Sequence, residues 1–105
     1  MEIRKVPVAS INRAPYNPRV ELKPSDAEYQ AIRNSLERFD LVQPLVWNES
    51  TGNLVGGHQR LTILINERNV TEVDVVVVRL SESEERALNL TLNNQAVGGR
   101  WDRNK

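Results

Sequence analysis

The run Val73-Asp74-Val75-Val76-Val77-Val78-Arg79-Leu80 constrains this chain more than any other segment. β-Branched side chains in unbroken succession favour a strand, and the absence of a polar alternation predicts burial on both faces. A strand of that kind needs helices packed over it. The remaining periodicities supply them and read in order as βαββαβα, an α/β (α+β) class fold with a small mixed sheet and helices packed on it.

Lys5 to Ile11 alternates weakly and reads as a first strand, with Pro7 placing it at a sheet edge. Asn12 to Pro24 is rich in Pro and Asn and reads as loop, with Tyr16-Asn17-Pro18-Arg19 a turn. Ser25-Asp26-Ala27-Glu28 has the form of a capping box. The helix it opens carries Tyr29, Ile32, Leu36 and Phe39 on one stripe, with Arg33, Asn34, Glu37 and Arg38 facing water. Leu41 to Trp47 enters a strand, Asn48 to Asn53 is a polar turn, and the flanking strands form a hairpin. Trp47 and Trp101 are expected to pack. Ser81-Glu82-Ser83-Glu84 is a second capping box, opening a helix with Ala87, Leu88, Thr91 and Leu92 inward. Glu82, Glu84 and Glu85 read as a solvated first turn that suits the helix dipole. Periodicity is lost beyond Asn93-Asn94-Gln95, which reads as a helix fraying into a polar tail.

Composition removes several function classes. The 105 residues suit one domain, 1–105, with a core over about 6–97. Lys plus Arg number 14 and Asp plus Glu number 14, so the basic excess of an autonomous duplex-DNA grip is missing. Cysteine is absent and histidine occurs once, which disfavours disulfides, thiol catalysis and structural zinc. No apolar run approaches the ~20 residues of a membrane span, and no signal peptide is evident, so a cytoplasmic location is expected.

The chemistry concentrates at Gly56-Gly57-His58-Gln59-Arg60, between a short strand and the helical Leu61 to Arg68. Without Cβ atoms, Gly56 and Gly57 let a phosphate oxygen approach their N–H groups, and the following helix N-terminus adds partial positive charge. Arg60 offers a forked donor, and His58 and Gln59 add donors in the first turn. The same residues also suit a tight turn with Arg60 on the surface. His58 is a candidate general base by residue type, but no triad partner adjoins it, and a phosphate-facing donor is the favoured role. The lysine and Ser/Thr of a Walker motif are missing.

The order of NPR, a capped helix, LVQPLV, GGHQRL, VVVVRLSESEERALNL, LNNQ and WD resembles the ParB N-terminal (ParB/sulfiredoxin-like) domain from Val6 to Asp102. More narrowly, it resembles the version found in phage and mobile-element proteins and ahead of some DNA methyltransferases. The resemblance implies a Gly-rich turn that binds nucleotide phosphates, with CTP in chromosome-partitioning ParB proteins and ATP or ADP in relatives. The family's Gly-Glu-Arg-Arg falls on Gly57, His58, Gln59 and Arg60. Its Gln-Pro step falls on Gln43 and Pro44, and its Glu-Asn pair on Asn93 and Asn94. Sulfiredoxins place a reactive cysteine where His58 stands, so their chemistry is excluded here. Two carboxylates tied to metal-dependent turnover are replaced, by His58 and Asn93, and these neutral groups are poor partners for magnesium. Asp40 stands where the family often has glycine, a position Asp tolerates moderately.

The resulting expectation is a nucleotide- or phosphate-binding module of a DNA-associated protein, with weak or no hydrolysis and no metal ligands. A metal-dependent nuclease, a nucleoside triphosphatase or a small-molecule kinase would be the enzymatic alternatives, and a protein-interaction domain the plain one. No residues remain for a helix-turn-helix, so DNA is expected to be met through another domain or partner, and a homodimer is possible by the same resemblance.

Overall fold

A computed structural model of the chain describes residues 1–16, 22–39 and 44–103, with side chains of the last helix described as far as residue 92. Its elements are β1 (Glu2–Pro7), a 3-10 turn (Val8–Ser10), β2 (Asn12–Arg13), α1 (Ala27–Phe39), β3 (Leu45–Asn48), β4 (Asn53–Gly56), α2 (His58–Arg68), β5 (Glu72–Val78) and α3 (Glu82–Arg103). The strands form one mixed sheet in the order β1-β5-β3-β4-β2. β5 runs parallel to β3 and antiparallel to β1, while β4 runs antiparallel to β3 and parallel to β2.

Two layers cover the sheet unequally. Leu45 and Trp47 of β3 pair with Val75 and Val77 of β5, and Val6 of β1 pairs with Val73, so these side chains share a face. Together with Leu54 they meet Tyr29 and Leu36 of α1 and Leu61, Ile63 and Leu64 of α2 in the main core. α2 packs on both α1 and the sheet, which buries most of its circumference, Thr62 and His58 included. The opposite face carries Val46, Asn48, Val76 and Val78, and α3 packs there against β4. Val76 and Val78 are only half-buried. The valine run is therefore a one-sided core strand rather than one sealed on both faces, because α3 lies over β4 and leaves β5 partly uncovered.

A β-bulge interrupts the hairpin. Trp47 is opposite Leu54 and Val46 opposite Gly56, so Val55 is the extra residue on β4. The bulge turns Gly56 toward the face that α3 covers. Gly52, at φ 80, closes the hairpin turn, and its carbonyl accepts from the Trp47 indole at 2.9 Å. The packing role expected of Trp47 is what the structure shows; Trp101 lies outside the described side chains.

Local signals met mixed outcomes. The second capping box forms as read: Ser81 N–H donates to Glu84 Oε1 at 2.9 Å, and Glu84 N–H donates to Ser81 Oγ at 3.3 Å. At α1 the helix begins later than the first box implies. Asp26 O accepts from Gln30 N–H, and the Asp26 carboxylate turns back to Lys23 N–H at 2.8 Å, in a turn set by Pro24. Phe39 is 58 % exposed instead of joining the stripe, with Arg38 stacked over its ring. β1 starts at Glu2 and ends at Pro7, at the edge the proline indicated. α3 continues past Asn93 to Arg103, so the helix does not end there. Its inward stripe is Glu85, Leu88, Asn89 and Leu92, with Ala87 and Thr91 exposed.

The unequal faces generate a direct comparison. Val75→Asp would bury a carboxylate at a position with no exposure, costing several kcal/mol, on the order of a small domain's whole stability. Val76→Asp, half-exposed, should cost clearly less. Thermal melts of the two variants should separate them, with Val75→Asp unfolded or nearly so.

Candidate functional site

β4 ends at Gly56 and α2 begins at His58, leaving one residue to turn strand into helix. Gly57 does this at φ 90, ψ 24, a left-handed conformation that L side chains rarely adopt. The space beside it is filled as well. A Cβ on Gly57 would lie 2.4 Å from Leu45 Cδ2 and 3.1 Å from an Arg60 guanidinium nitrogen. A Cβ on Gly56 would lie 2.8 Å from Leu92 Cδ1 of α3. Gly57 is thus required by backbone and packing, whereas at Gly56 the neighbour is the tip of a leucine side chain that can move aside.

The electrostatics of the joint follow from the same geometry. As N-cap, Gly57 has no side chain to accept from the first-turn N–H groups of α2, and the helix dipole concentrates positive potential there. The Arg60 guanidinium lies against Gly57. Exposed Arg13, from β2, reaches the same half of α2 and donates to Thr62 Oγ1 at 2.6 Å. Gln59 Oε1 accepts from Leu22 N–H at 3.5 Å. His58 is 3 % exposed. The packing of α2 turns this first residue of the helix inward. The first-turn backbone N–H groups and two guanidinium groups favour an anion over a cation. Among the described residues no group of three His, Cys, Asp or Glu side chains could hold a metal ion.

The expected site residues are partly gathered. Gly56, Gly57, His58, Gln59 and Arg60 are contiguous at the joint, and Pro44 immediately precedes Leu45, the residue on which Gly57 packs. Gln43 and Asp40 lie outside the described residues, as do Asn17, Pro18 and Arg19. Asn93 and Asn94 belong to α3, just beyond the Leu92 that lies on Gly56, while their side chains are outside those described.

Two residues were missed by sequence reasoning. Arg13 sits in a two-residue strand that carries no periodic signal. Glu85, expected in solvent, is 1 % exposed. Its Oε1 accepts from Asn48 Nδ2 at 2.8 Å and from Thr51 Oγ1, and its Oε2 from the Tyr16 hydroxyl at 2.5 Å and Asn53 Nδ2 at 3.1 Å. Burial pushes the Glu85 carboxyl up, but the Thr51, Tyr16, Asn48 and Asn53 hydrogen bonds together hold it below its ordinary 4.5. Desolvation, and then the bond to Glu85, raises the Tyr16 hydroxyl well above its usual range. The sequence signal was the spacing of Glu85, Asn89 and Leu92 along one helical face. A separate cleft of about 80 Å³ between α1 and α2 is lined by Arg33, Leu36, Glu37, Glu67 and Arg68, far below the ~300 Å³ at which ligand pockets begin.

Gly57→Ala tests the joint. The left-handed backbone alone costs roughly 1–2 kcal/mol for a residue with a Cβ, and displacement of Leu45 adds to it. Chemical denaturation should show a loss at or above that figure, whereas a loss under about 0.5 kcal/mol, the usual size for a surface change, would contradict the packing described.

Comparison with known proteins converges on one family. The model of the ParB N-terminal domain matches residues 1–94. No curated protein matches the chain. Among solved structures, the C-terminally truncated chromosome-partitioning protein ParB from Caulobacter crescentus, complexed with CTP-γ-S, superposes with a TM-score of 0.70 at 19 % identity, over 90 % of this chain and 54 % of that one. The Pnob8-like ParB-N domain superposes with a TM-score of 0.62 at 19 % identity, over 84 % of this chain and 34 % of that one. The chain thus spans about half the length of the first and a third of the second. At such identity the superpositions speak for the fold, and no helix among the described residues is long and apolar enough to cross a membrane. With the family model covering nearly its whole length, the chain belongs to the ParB N-terminal domain family.

Proposed function

We propose that this domain is a nucleotide-binding module of a DNA-associated, partition-type protein, and that it holds the nucleotide's phosphates at the N-terminus of α2. The observation that carries the reading is the glycine N-cap at φ 90 with the Arg60 guanidinium against it. A phosphate there accepts from first-turn N–H groups and from Arg60, and it satisfies donors that the N-cap itself cannot serve. Arg13 adds a second positive charge from β2. The C. crescentus ParB carries CTP-γ-S on the same fold, which favours a nucleoside triphosphate over a lone phosphate.

Gly56, Gly57, His58, Gln59 and Arg60 form the phosphate side of the proposed site, and the resemblance assigns Gln43, Pro44, Asn93 and Asn94 to the same site. CTP and ATP or ADP are the candidate ligands. His58 contributes its backbone N–H; its ring is buried and is assigned no proton transfer. Magnesium is not assigned: His58 and Asn93 stand where the resemblance expects carboxylates, and a hard cation holds neutral ligands poorly. The domain therefore binds nucleotide with weak or no hydrolysis. Metal-dependent nuclease chemistry needs clustered carboxylates, and no observation favours it. The balanced charge assigns DNA contact to another domain or partner, in a cytoplasmic setting.

Isothermal titration with CTP, ATP and ADP, with and without magnesium, tests the reading. Charge-assisted hydrogen bonds contribute roughly 1.5–3 kcal/mol each. Arg60→Ala should accordingly weaken the preferred nucleotide by about 10- to 100-fold while the melting temperature stays near that of wild type. Equal affinities for the variant and wild type would remove Arg60 from the site, and a wild type that takes up none of the three would remove the reading.

A further inference from the structure

Glu85 is the one carboxylate that is fully buried among the described residues, and nucleotide binding makes no direct use of it. A buried carboxylate is tolerated only when donors surround it. Three of its donors, Asn48, Thr51 and Asn53, come from the β3–β4 hairpin, and the fourth is the Tyr16 hydroxyl. The donors are themselves held. Asn48 Oδ1 accepts from Leu80 N–H at 3.0 Å and Ser50 N–H at 3.1 Å, and its Nδ2 also donates to Leu80 O. Arg86 stacks over the Tyr16 ring.

The same face of α3 continues along β4. One turn after Glu85, buried Asn89 donates to Val55 O at 3.0 Å, the carbonyl of the bulged residue. Leu92 follows and lies over Gly56. Glu85, Asn89 and Leu92 are spaced i, i+4, i+7, so they track the strand from the hairpin turn to the β4–α2 joint. Leu92 makes apolar contact, which tolerates sliding. Directional hydrogen bonds do not, and Glu85 makes four of them. Asn93 and Asn94 come next in the chain.

We propose that Glu85 is a positioning residue for the nucleotide site: its hydrogen bonds fix the register of α3 on β4, and so set where Leu92 lies over Gly56 at the β4–α2 joint. This rests on the nucleotide reading above. An apolar residue at position 85 would fill the space but would leave the helix free to shift along the strand.

Glu85→Gln and Tyr16→Phe in the 105-residue chain test the proposal, with two readouts taken well below each variant's melting temperature. The amide of Glu85→Gln turns a donor toward Asn48 Nδ2 or Asn53 Nδ2, neither of which can accept. Backbone amide exchange without ligand should rise at residues 55–57 and 89–92 relative to residues 61–64. CTP affinity should fall roughly 2- to 30-fold, the range for residues that act through a coupled element. Tyr16→Phe, which removes one donor, should move both readouts the same way by less. Exchange that rises equally everywhere, or affinity and exchange both unchanged in a folded Glu85→Gln, would overturn the proposal. Should Glu85→Gln fail to fold, Tyr16→Phe carries the same decision. A wild type that takes up no CTP would sink the nucleotide reading, and the exchange comparison would still decide the role of Glu85 in seating α3.

Discussion

The architecture hangs on a single left-handed residue. Gly57 ends β4 and starts α2 with nothing between, because φ 90 turns the chain within one residue and Leu45 occupies the space a side chain would need. Leu45 has no exposure and pairs with Val75 at the centre of the sheet. The joint is therefore tied to the core by contact. From it, α2 carries the chain past β3 to β5, and its apolar circumference meets α1 and the sheet at once. The turn that best suits an anion is also the turn the fold cannot do without, so its glycines by themselves do not speak for a ligand. The proposed anion site rests on the charge around them.

The two faces of the sheet are secured by different physics. On one, α1 and α2 pack through aliphatic and aromatic contact that is non-directional and roughly proportional to area. On the other, α3 is held through Glu85 and Asn89 to the hairpin and the bulge. Such a polar seam adds little net stability, since desolvation offsets much of the attraction, but it leaves few alternative registers. At the β1 edge, Arg4 and Arg79 bridge Glu2 and Glu49. These are exposed ion pairs of small energetic weight, and they join the ends of strands that are far apart in sequence.

What could be read from the residues was whatever repeats or punctuates. The valine run, the hairpin, the Ser81 box and the strand–diglycine–helix joint each carry a local pattern that packing reinforces. β2 is two residues long and carries none. Val76 looked buried because composition cannot tell which face a helix will cover. Glu85 looked solvated because an acid in a first helical turn suits the dipole. Only the folded hairpin brings Asn48, Thr51 and Asn53 to it. His58 drew attention as a histidine beside glycines, yet its burial is set by how α2 packs in the fold, which no local motif encodes. Loss of periodicity after Asn93-Asn94-Gln95 argued for a fraying end there, and α3 runs on to Arg103.

Residue-resolved amide shifts, recorded while CTP is titrated into the ¹⁵N-labelled domain, address the central claim most directly. Phosphates bound at the N-terminus of α2 predict the largest perturbations at Gly57, His58, Gln59 and Arg60, extending to Leu92 of α3. Amides that stay fixed through a millimolar titration, or shifts centred on the α1–α2 cleft around Arg33 and Glu67, would contradict it.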